Sequence, residues 1–467
     1  MNHLASLFSP SSIAIVGASS EPASGTNSIF LTPLRQYGFR GPIYPINPKV
    51  SEIMGLPAYP SLSAVPGPVD YVICAVAAGL TLPLVEECQK KGVKVLHIFS
   101  AGFSESGPEG ARLEAELVSR ARRGGVRVLG PNCFGASYPL SGLCSMPDMG
   151  KEPGGVAIIS QSAATARDLT ESGSRRGLKF GKVVHYGNAA DINETELLEF
   201  MGEEEEAKIV AVYLEGVKDR RFLSVLRRVA ARKPVLVLKG GRSEAGSRAA
   251  LSHTGSLAGS AQVWRAVLRQ AGAIPVETVD EMEDLLVTFT VLRPPQGRRV
   301  GIVIFGGGFC VQAADECQNE GLQVPALPPE TQAQFREFIS AVGTSLKNPL
   351  DVPPAVVWRE DRNFRTLAVL DSCPEIDIIL TRAFIPVSTY LEGPHVLEAQ
   401  AGAIIRAGKE LKKPVVLVSR YMGSPGSGEI MVRLLEACRE GGVPLYPSVV
   451  RAARSLRTYL DFVERKR

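Results

Sequence analysis

"GGVAIISQSAATARDLTESGSRRGLKF", residues 154 to 180, decides the fold. Its opening, "GGVAIIS", is a short apolar run of strand length, and "QSAATA" leads it through small residues into an amphipathic stretch. A strand this apolar is buried on both faces. That is the condition of a strand in a parallel sheet covered by helices.

The same alternation runs from end to end: "SIAIVGA", "VDYVICAV", "VKVLHIFS", "VRVLG", "IVAVYLEG", "PVLVLKGG", "RVGIVIFGGG", "IDIILTRAF" and "PVVLVS" each precede or follow longer amphipathic stretches. The fold class is therefore α/β with parallel sheets. Residues 298 to 324, "RRVGIVIFGGGFCVQAADECQNEGLQV", repeat the order strand, small-residue turn, helix and Gly-Leu. "GNAADI" after the first copy is matched by "KNPLDV" after the second, so the middle and last parts read as distant copies of one plan.

Two Pro/Gly-rich joints, "PDMGKEPGG" at 147 to 155 and "RPPQGRR" at 293 to 299, each lie just before a strong strand. They predict three domains, 1–148, 149–294 and 295–467. A chain of 467 residues is long enough for that number.

Composition limits the functions. Hydrophobic residues make up 45% and charged residues 21%, the balance of a soluble globular protein. The net charge of +4 comes from 52 basic and 48 acidic residues that are well mixed, and aromatics are only 6%, which argues against a nucleic-acid binder. No apolar run approaches the ~18 residues of a membrane span, and "MNHLASLFSPSSIAIVGAS" is not a signal peptide. The expectation is a cytoplasmic protein. Eight scattered cysteines without a Cys-x-x-Cys pair fit reduced thiols, with no disulfide or metal framework.

In open parallel sheets ligands collect at the carboxyl ends of strands, where helix amino termini offer free N–H groups. "IVGASSEPASGTNSIF", 15 to 30, is one such turn; it has Gly17 and Gly25 but no Gly-x-Gly-x-x-Gly, so a dinucleotide dehydrogenase is poorly supported. Lys49 of "YPINPK" suits a phosphate, and a solvated turn lysine accounts for it as well. "IFSAGFSESG", 98 to 107, is a further small-residue turn. "SQSAATA", 160 to 166, and "FGGGFC", 305 to 310, both open helices with residues that let an anion approach the backbone. Tight strand-to-helix packing explains either one alone.

"RAALSHTGSLAGSAQVW", 248 to 264, places one of five histidines among small residues that give its ring no core to fill. His253 is expected to be exposed on a long functional loop. Glu215 ends the preceding strand, so the two should emerge at one sheet edge with the "SQSAATA" helix. A carboxylate that accepts one imidazole N–H leaves the other nitrogen nucleophilic, and helix amino termini would favour a phosphoryl group on it. Helix capping or a surface ion pair is the other reading of Glu215.

Nearly the whole chain resembles the α subunit of the NDP-forming acyl-CoA synthetases, relatives of succinyl-CoA synthetase. "SIAIVGAS", "YPINPK", "SAGFSESG", "LGPNCFG", "ISQSAATA", "GNAAD", "YLEG", "VLKGGRS", "SHTGSLAG", "GGGFCVQAADECQNEGL" and "NPLDV" occur in the family order, and "SHTGSLAG" beside "GPNCFG" and "YLEG" is the specific combination. The resemblance implies a CoA-binding Rossmann-like domain and two flavodoxin-like domains. It implies the reversible reaction of acyl-CoA, phosphate and ADP to acid, CoA and ATP through an acyl phosphate and a phosphohistidine.

By motif, His253 would be phosphorylated and Glu215 would orient it. Gly17, Ala18, Ser19, Ser20, Lys49, Ser100, Ala101 and Gly102 would bind CoA. Asn132 would lie near the acyl group, and Gln161, Ser162, Ala163, Gly306, Gly307 and Gly308 near phosphate. Nothing after Asp351 reads as an ATP-grasp domain, so ADP or ATP and Mg²⁺ would belong to a separate β subunit, in the family's assembly of two α and two β chains. Three positions depart from the pattern: Ala163 stands at a usual glycine, His185 at a usual serine and Ala77 at a usual proline. His185 is thereby a second candidate nucleophile, and a CoA sensor without turnover is the rival function.

Overall fold

The computed structural model describes residues 3–21, 25–248, 260–340, 343–385, 394–420 and 426–466. Three main sheets form, and apart from one short edge strand all their strands run parallel. In the first, Ile43–Ile46, Ile13–Val16, Tyr71–Cys74, Val95–Ile98 and Arg127–Leu129 lie side by side in that order. The second has Phe180–His185, Val156–Ser160, Ile209–Leu214, Val235–Lys239 and Ile274–Val276. In the third, Leu350–Asp351, Val300–Ile304, Ile378–Arg382, Val415–Val418 and Leu445–Tyr446 follow one another.

Each of these runs has the order 2-1-3-4-5. That order turns back on itself beside its own first strand, which leaves a crevice at the carboxyl ends of strands one and three. The plan expected to be shared by the middle and last parts is therefore common to all three sheets. The paired Asn-x-x-Asp motifs are not equivalent, however. Asp191 follows the second strand of its sheet and Asp351 ends the second strand of its own.

The apolar strands are buried as their composition requires. Ile159, Val212 and Val237 have no exposed surface, and each such side chain contributes about 1.5–3 kcal/mol by leaving water.

By its contacts the chain forms two compact units, Met1–Ser174 with Lys179–Met282, and Arg175–Leu178 with Glu283–Arg467. The first two sheets share a unit for visible reasons. Gly135–Ser137 runs antiparallel to Phe180–His185 and extends the second sheet from the segment that precedes the joint at 147 to 155. Asp191, 1% exposed, accepts from Arg127 Nε at 2.9 Å and from the Val128 backbone N–H at 2.7 Å, and so ties the second sheet's loop to the last strand of the first. Among the described residues no helix is long and apolar enough to cross a membrane, and all eight cysteines are free and buried.

Candidate active site

At the first crevice the chain must turn sharply after Val16. Gly17 has φ +92°, and a Cβ there would stand 2.8 Å from the Ala75 carbonyl oxygen; only glycine takes this position without strain. The crevice opens into a cleft of about 610 Å³ lined by Gly17, Ala18, Ser19, Asn47, Lys49 and Leu80. Asn47 shapes it: Nδ2 donates to the Ala18 carbonyl at 2.9 Å, and Oδ1 accepts from the Lys49 N–H at 2.9 Å. The fully buried Asn27 fixes the other side, accepting from the Ser19 N–H at 3.2 Å and donating to its carbonyl at 2.8 Å. Ser20 and Lys49 are exposed beside it.

The turn from Ser100 to Gly102 sits on the same crevice. The Ser100 hydroxyl donates to the carbonyl of Val76, a residue that also lines the cleft. Glu105 accepts from the N–H groups of Gly102 at 2.6 Å and Phe103 at 3.1 Å. Burial works against the Glu105 carboxylate, but these bonds and one from Asn188 hold its pKa below the usual range. Ala101 is exposed, and the Asn132 N–H, at a residue with φ 55°, donates to the Ser100 carbonyl at 3.1 Å.

At the second crevice Gln161 and Ser162 follow strand one, and Glu215 follows strand three. The Gln161 N–H continues the sheet by donating to Tyr213 at 3.0 Å. Its side-chain Oε1 accepts from the backbone N–H of Glu215 at 2.8 Å and of Gly216 at 3.4 Å. Ser162 caps the helix Ala163–Arg175, with Oγ accepting from the Thr165 N–H at 3.3 Å. Glu215 is thus anchored by its backbone to the start of that helix, and it is only 8% exposed. It is neither a surface acid nor the helix cap, a role Ser162 fills. The Tyr213 hydroxyl donates to Glu215 Oε1 at 3.4 Å. Burial and this carboxylate push the Tyr213 pKa up to about 12.

His185 is committed elsewhere. Its Nδ1 accepts from the Phe134 N–H at 2.8 Å, which leaves Nε2 to donate to the Gln161 carbonyl at 3.1 Å. With both ring nitrogens engaged and the side chain 5% exposed, it is a buried brace for the Gln161 turn and not a nucleophile. His253 lies outside the described residues.

Sequence reasoning passed over Lys239. It ends the strand next to Glu215, is 3% exposed, and donates to the carbonyls of Glu215 at 2.6 Å and Gly240 at 2.5 Å. The available signal was a lysine closing an otherwise wholly apolar strand.

The third crevice belongs to the second unit. Gly306 has φ +105°, and its N–H donates to Asp351 Oδ1 at 2.8 Å. Gly307 opens the helix Gly307–Asn319, and a Cβ on Gly308 would meet nothing within 4 Å. Arg382, also unread in the sequence, ends strand three and lies over the Phe309 ring at 4.0 Å. No group of three or more His, Cys, Asp or Glu among the described residues is arranged to hold a metal.

Doubly wound sheets, a wide glycine turn at the first crevice and a buried carboxylate beside a helix start at the second define the class: a CoA-binding domain joined to succinyl-CoA ligase-like flavodoxin domains. Family models agree, one described as a CoA binding domain over residues 11–139 and one as a succinyl-CoA ligase like flavodoxin domain over 153–289. The chain belongs to the family of ADP-forming acetate–CoA ligase α subunits. It is 36% identical over 450 residues to subunit alpha of the ADP-forming acetate–CoA ligase II of Pyrococcus furiosus, covering 96% of this chain and 95% of that one. Against the ADP-forming acetate–CoA ligase I of Archaeoglobus fulgidus, identity is 36% over 452 residues, which is 96% of this chain but 62% of the relative. The chain therefore spans nearly all of the separate α subunit and under two thirds of the longer ligase.

Among solved structures, acetyl-coenzyme A synthetase 1 of Ca. Korarchaeum cryptofilum, in complex with phosphate and ADP, superposes with a TM-score of 0.84 at 33% identity. The match covers 100% of this chain and 98% of that one. Such relatives are enzymes, which favours catalysis over CoA sensing.

Proposed function

We propose that this α subunit carries the acyl-transfer and phosphohistidine half of the reaction acyl-CoA + phosphate + ADP = carboxylic acid + CoA + ATP. Phosphate displaces the CoA thiol from the acyl carbon, giving acyl phosphate and free CoA. The imidazole of His253 then attacks phosphorus, the carboxylic acid leaves, and phosphohistidine passes its phosphoryl group to ADP.

Residue roles follow the three crevices. CoA sits at Gly17 to Ser20, Lys49 and the Ser100–Gly102 turn, where a cleft of about 610 Å³ and a glycine with no room for a Cβ fit a bulky phosphate-bearing ligand. Asn132 adjoins that turn and borders the acyl group. Gln161, Ser162 and Ala163 meet phosphate at one helix start, and Gly306 to Gly308 at another. Glu215 accepts the imidazole N–H and fixes its tautomer. A separate ATP-grasp β subunit supplies the nucleotide site and Mg²⁺ in an assembly of two α and two β chains, and the complex works in the cytoplasm, where free cysteines persist.

The observation that carries this reading is the buried Glu215, fastened through Gln161 to the start of the helix Ala163–Arg175. The test is incubation of the full chain with acetyl-CoA and labelled phosphate. Base-stable, acid-labile label is expected on wild type and absent from His253→Ala. A folded wild-type chain that binds CoA and takes no label overturns the proposal in favour of a CoA sensor.

A further inference from the structure

A lysine is an expensive way to end a buried strand. Residues 235–238 of that strand are apolar and buried, and Lys239 pairs in register with Leu214. A methionine there would fill similar space without bringing a charge out of water. Burial indeed pulls the Lys239 pKa below its usual value, while the Glu215 charge acts in the opposite direction.

What the ammonium group holds is specific. It donates to the Glu215 carbonyl and to the Gly240 carbonyl, and it stands 5.6 Å from the centre of the Trp264 ring. Gly240 opens the segment that leads to His253, and Trp264 lies in the helix Ala261–Gln270 that follows it. Gly240 is itself closely fitted, since a Cβ there would stand 2.7 Å from the Tyr213 hydroxyl and 3.3 Å from Glu215 Cγ. One side chain thus touches the residue carrying the carboxylate and both described flanks of the histidine segment.

We infer that Lys239 is a positioning residue for phosphoryl transfer: it fixes the strand end that presents Glu215 together with Gly240 and Trp264, and keeps a cation beside the carboxylate. This rests on the assignment of His253 and Glu215 above. Among the described residues, the titratable groups around the pair include Tyr213 and Tyr186 beside Glu215, and Arg242 beside Lys239. Of the two cations, Lys239 is the one bonded to the Glu215 backbone.

The test is single-turnover labelling of the full chain with acetyl-CoA and labelled phosphate, run across acetyl-CoA concentration, with CoA affinity measured in parallel. Lys239→Met is expected to slow labelling roughly 10- to 100-fold at unchanged CoA affinity, the range set by losing hydrogen bonds from a charged donor. The loss should fall on the labelling rate at saturating acetyl-CoA and leave the half-saturating acetyl-CoA concentration unchanged, a split that general destabilisation would not produce. Lys239→Gln keeps a donor without charge and, where the methionine variant does not fold, should show the same loss of rate at unchanged half-saturation. Either variant labelling at the wild-type rate with normal CoA affinity overturns the inference. Wild type labelled and His253→Ala unlabelled beside such a variant would reject the lysine alone; an unlabelled wild type would reject the underlying assignment as well.

Discussion

Replacing Gln161 with methionine keeps the length of the side chain and removes its acceptor oxygen. The Gln161 backbone N–H still donates to Tyr213, so strand pairing survives and the damage is local. Two N–H groups lose their partner: Glu215, bonded at 2.8 Å, and Gly216, at 3.4 Å. An unsatisfied buried donor costs about 1–3 kcal/mol, and the second bond is too long to count in full. The sum is about 2 kcal/mol, or roughly a 30-fold shift in the unfolding equilibrium of the first unit.

The assay follows from the chain's two tryptophans, Trp264 in the first unit and Trp358 in the second. In a Trp358→Phe background, urea unfolding followed by fluorescence reads the first unit, and labelling by acetyl-CoA and phosphate reads the site. Gln161→Met should melt earlier and label more slowly, with CoA affinity unchanged because Gln161 is no part of the cleft at Gly17. An unshifted melt with wild-type labelling would refute the claim that Gln161 anchors Glu215.

Gly17→Ala forces a Cβ to within 2.8 Å of the Ala75 carbonyl at φ +92°, and should weaken CoA binding about tenfold or more by calorimetry; wild-type affinity would place CoA elsewhere. His97 is 1% exposed, with its pKa lowered by burial from 6.5 to about 4. The unfolded chain therefore takes up a proton that the folded chain refuses, so stability falls as pH drops from 6.5 toward about 4, by up to about 3 kcal/mol. His97→Gln should flatten that slope in pH-dependent melts. Arg176, 12% exposed at its side chain, meets Asp284 at 2.8 Å and Glu283 at 3.1 Å. Arg176→Met removes one guanidinium while Asp284 keeps Arg451 at 2.5 Å, and should destabilise the second unit by about 1–3 kcal/mol in Trp358 fluorescence.

The sheets were legible because largely apolar, buried strands admit few alternatives. The strand expected in "GGVAIIS" is Val156–Ser160, and that in "VKVLHIFS" is Val95–Ile98. Gly135–Ser137 was not legible, since three small residues carry no apolar run and pair only through the backbone. Glu215 was placed correctly at a strand end, but its fastening was not foreseen, because Gln161 reaches it across neighbouring strands. His185 looked like a spare nucleophile for want of any sequence signal that a backbone N–H and a backbone carbonyl would occupy its two nitrogens.

One topology forms three crevices, so topology cannot be what separates their linings. The difference lies at the end of strand three in each sheet. In the first it is Ala75, whose carbonyl oxygen lies where a Cβ on Gly17 would come within 2.8 Å. In the second the corresponding residue is Glu215, an acceptor with a lysine behind its backbone. In the third the strand itself closes on Arg382, one place earlier than Ala75 and Glu215 stand in theirs, and its guanidinium is laid on Phe309 in the first turn of the glycine-opened helix. A glycine-lined cleft, a buried carboxylate and a cation beside a helix start thus arise from one repeated geometry. Exchanging these residues between sheets should therefore disturb function while leaving the strand order intact.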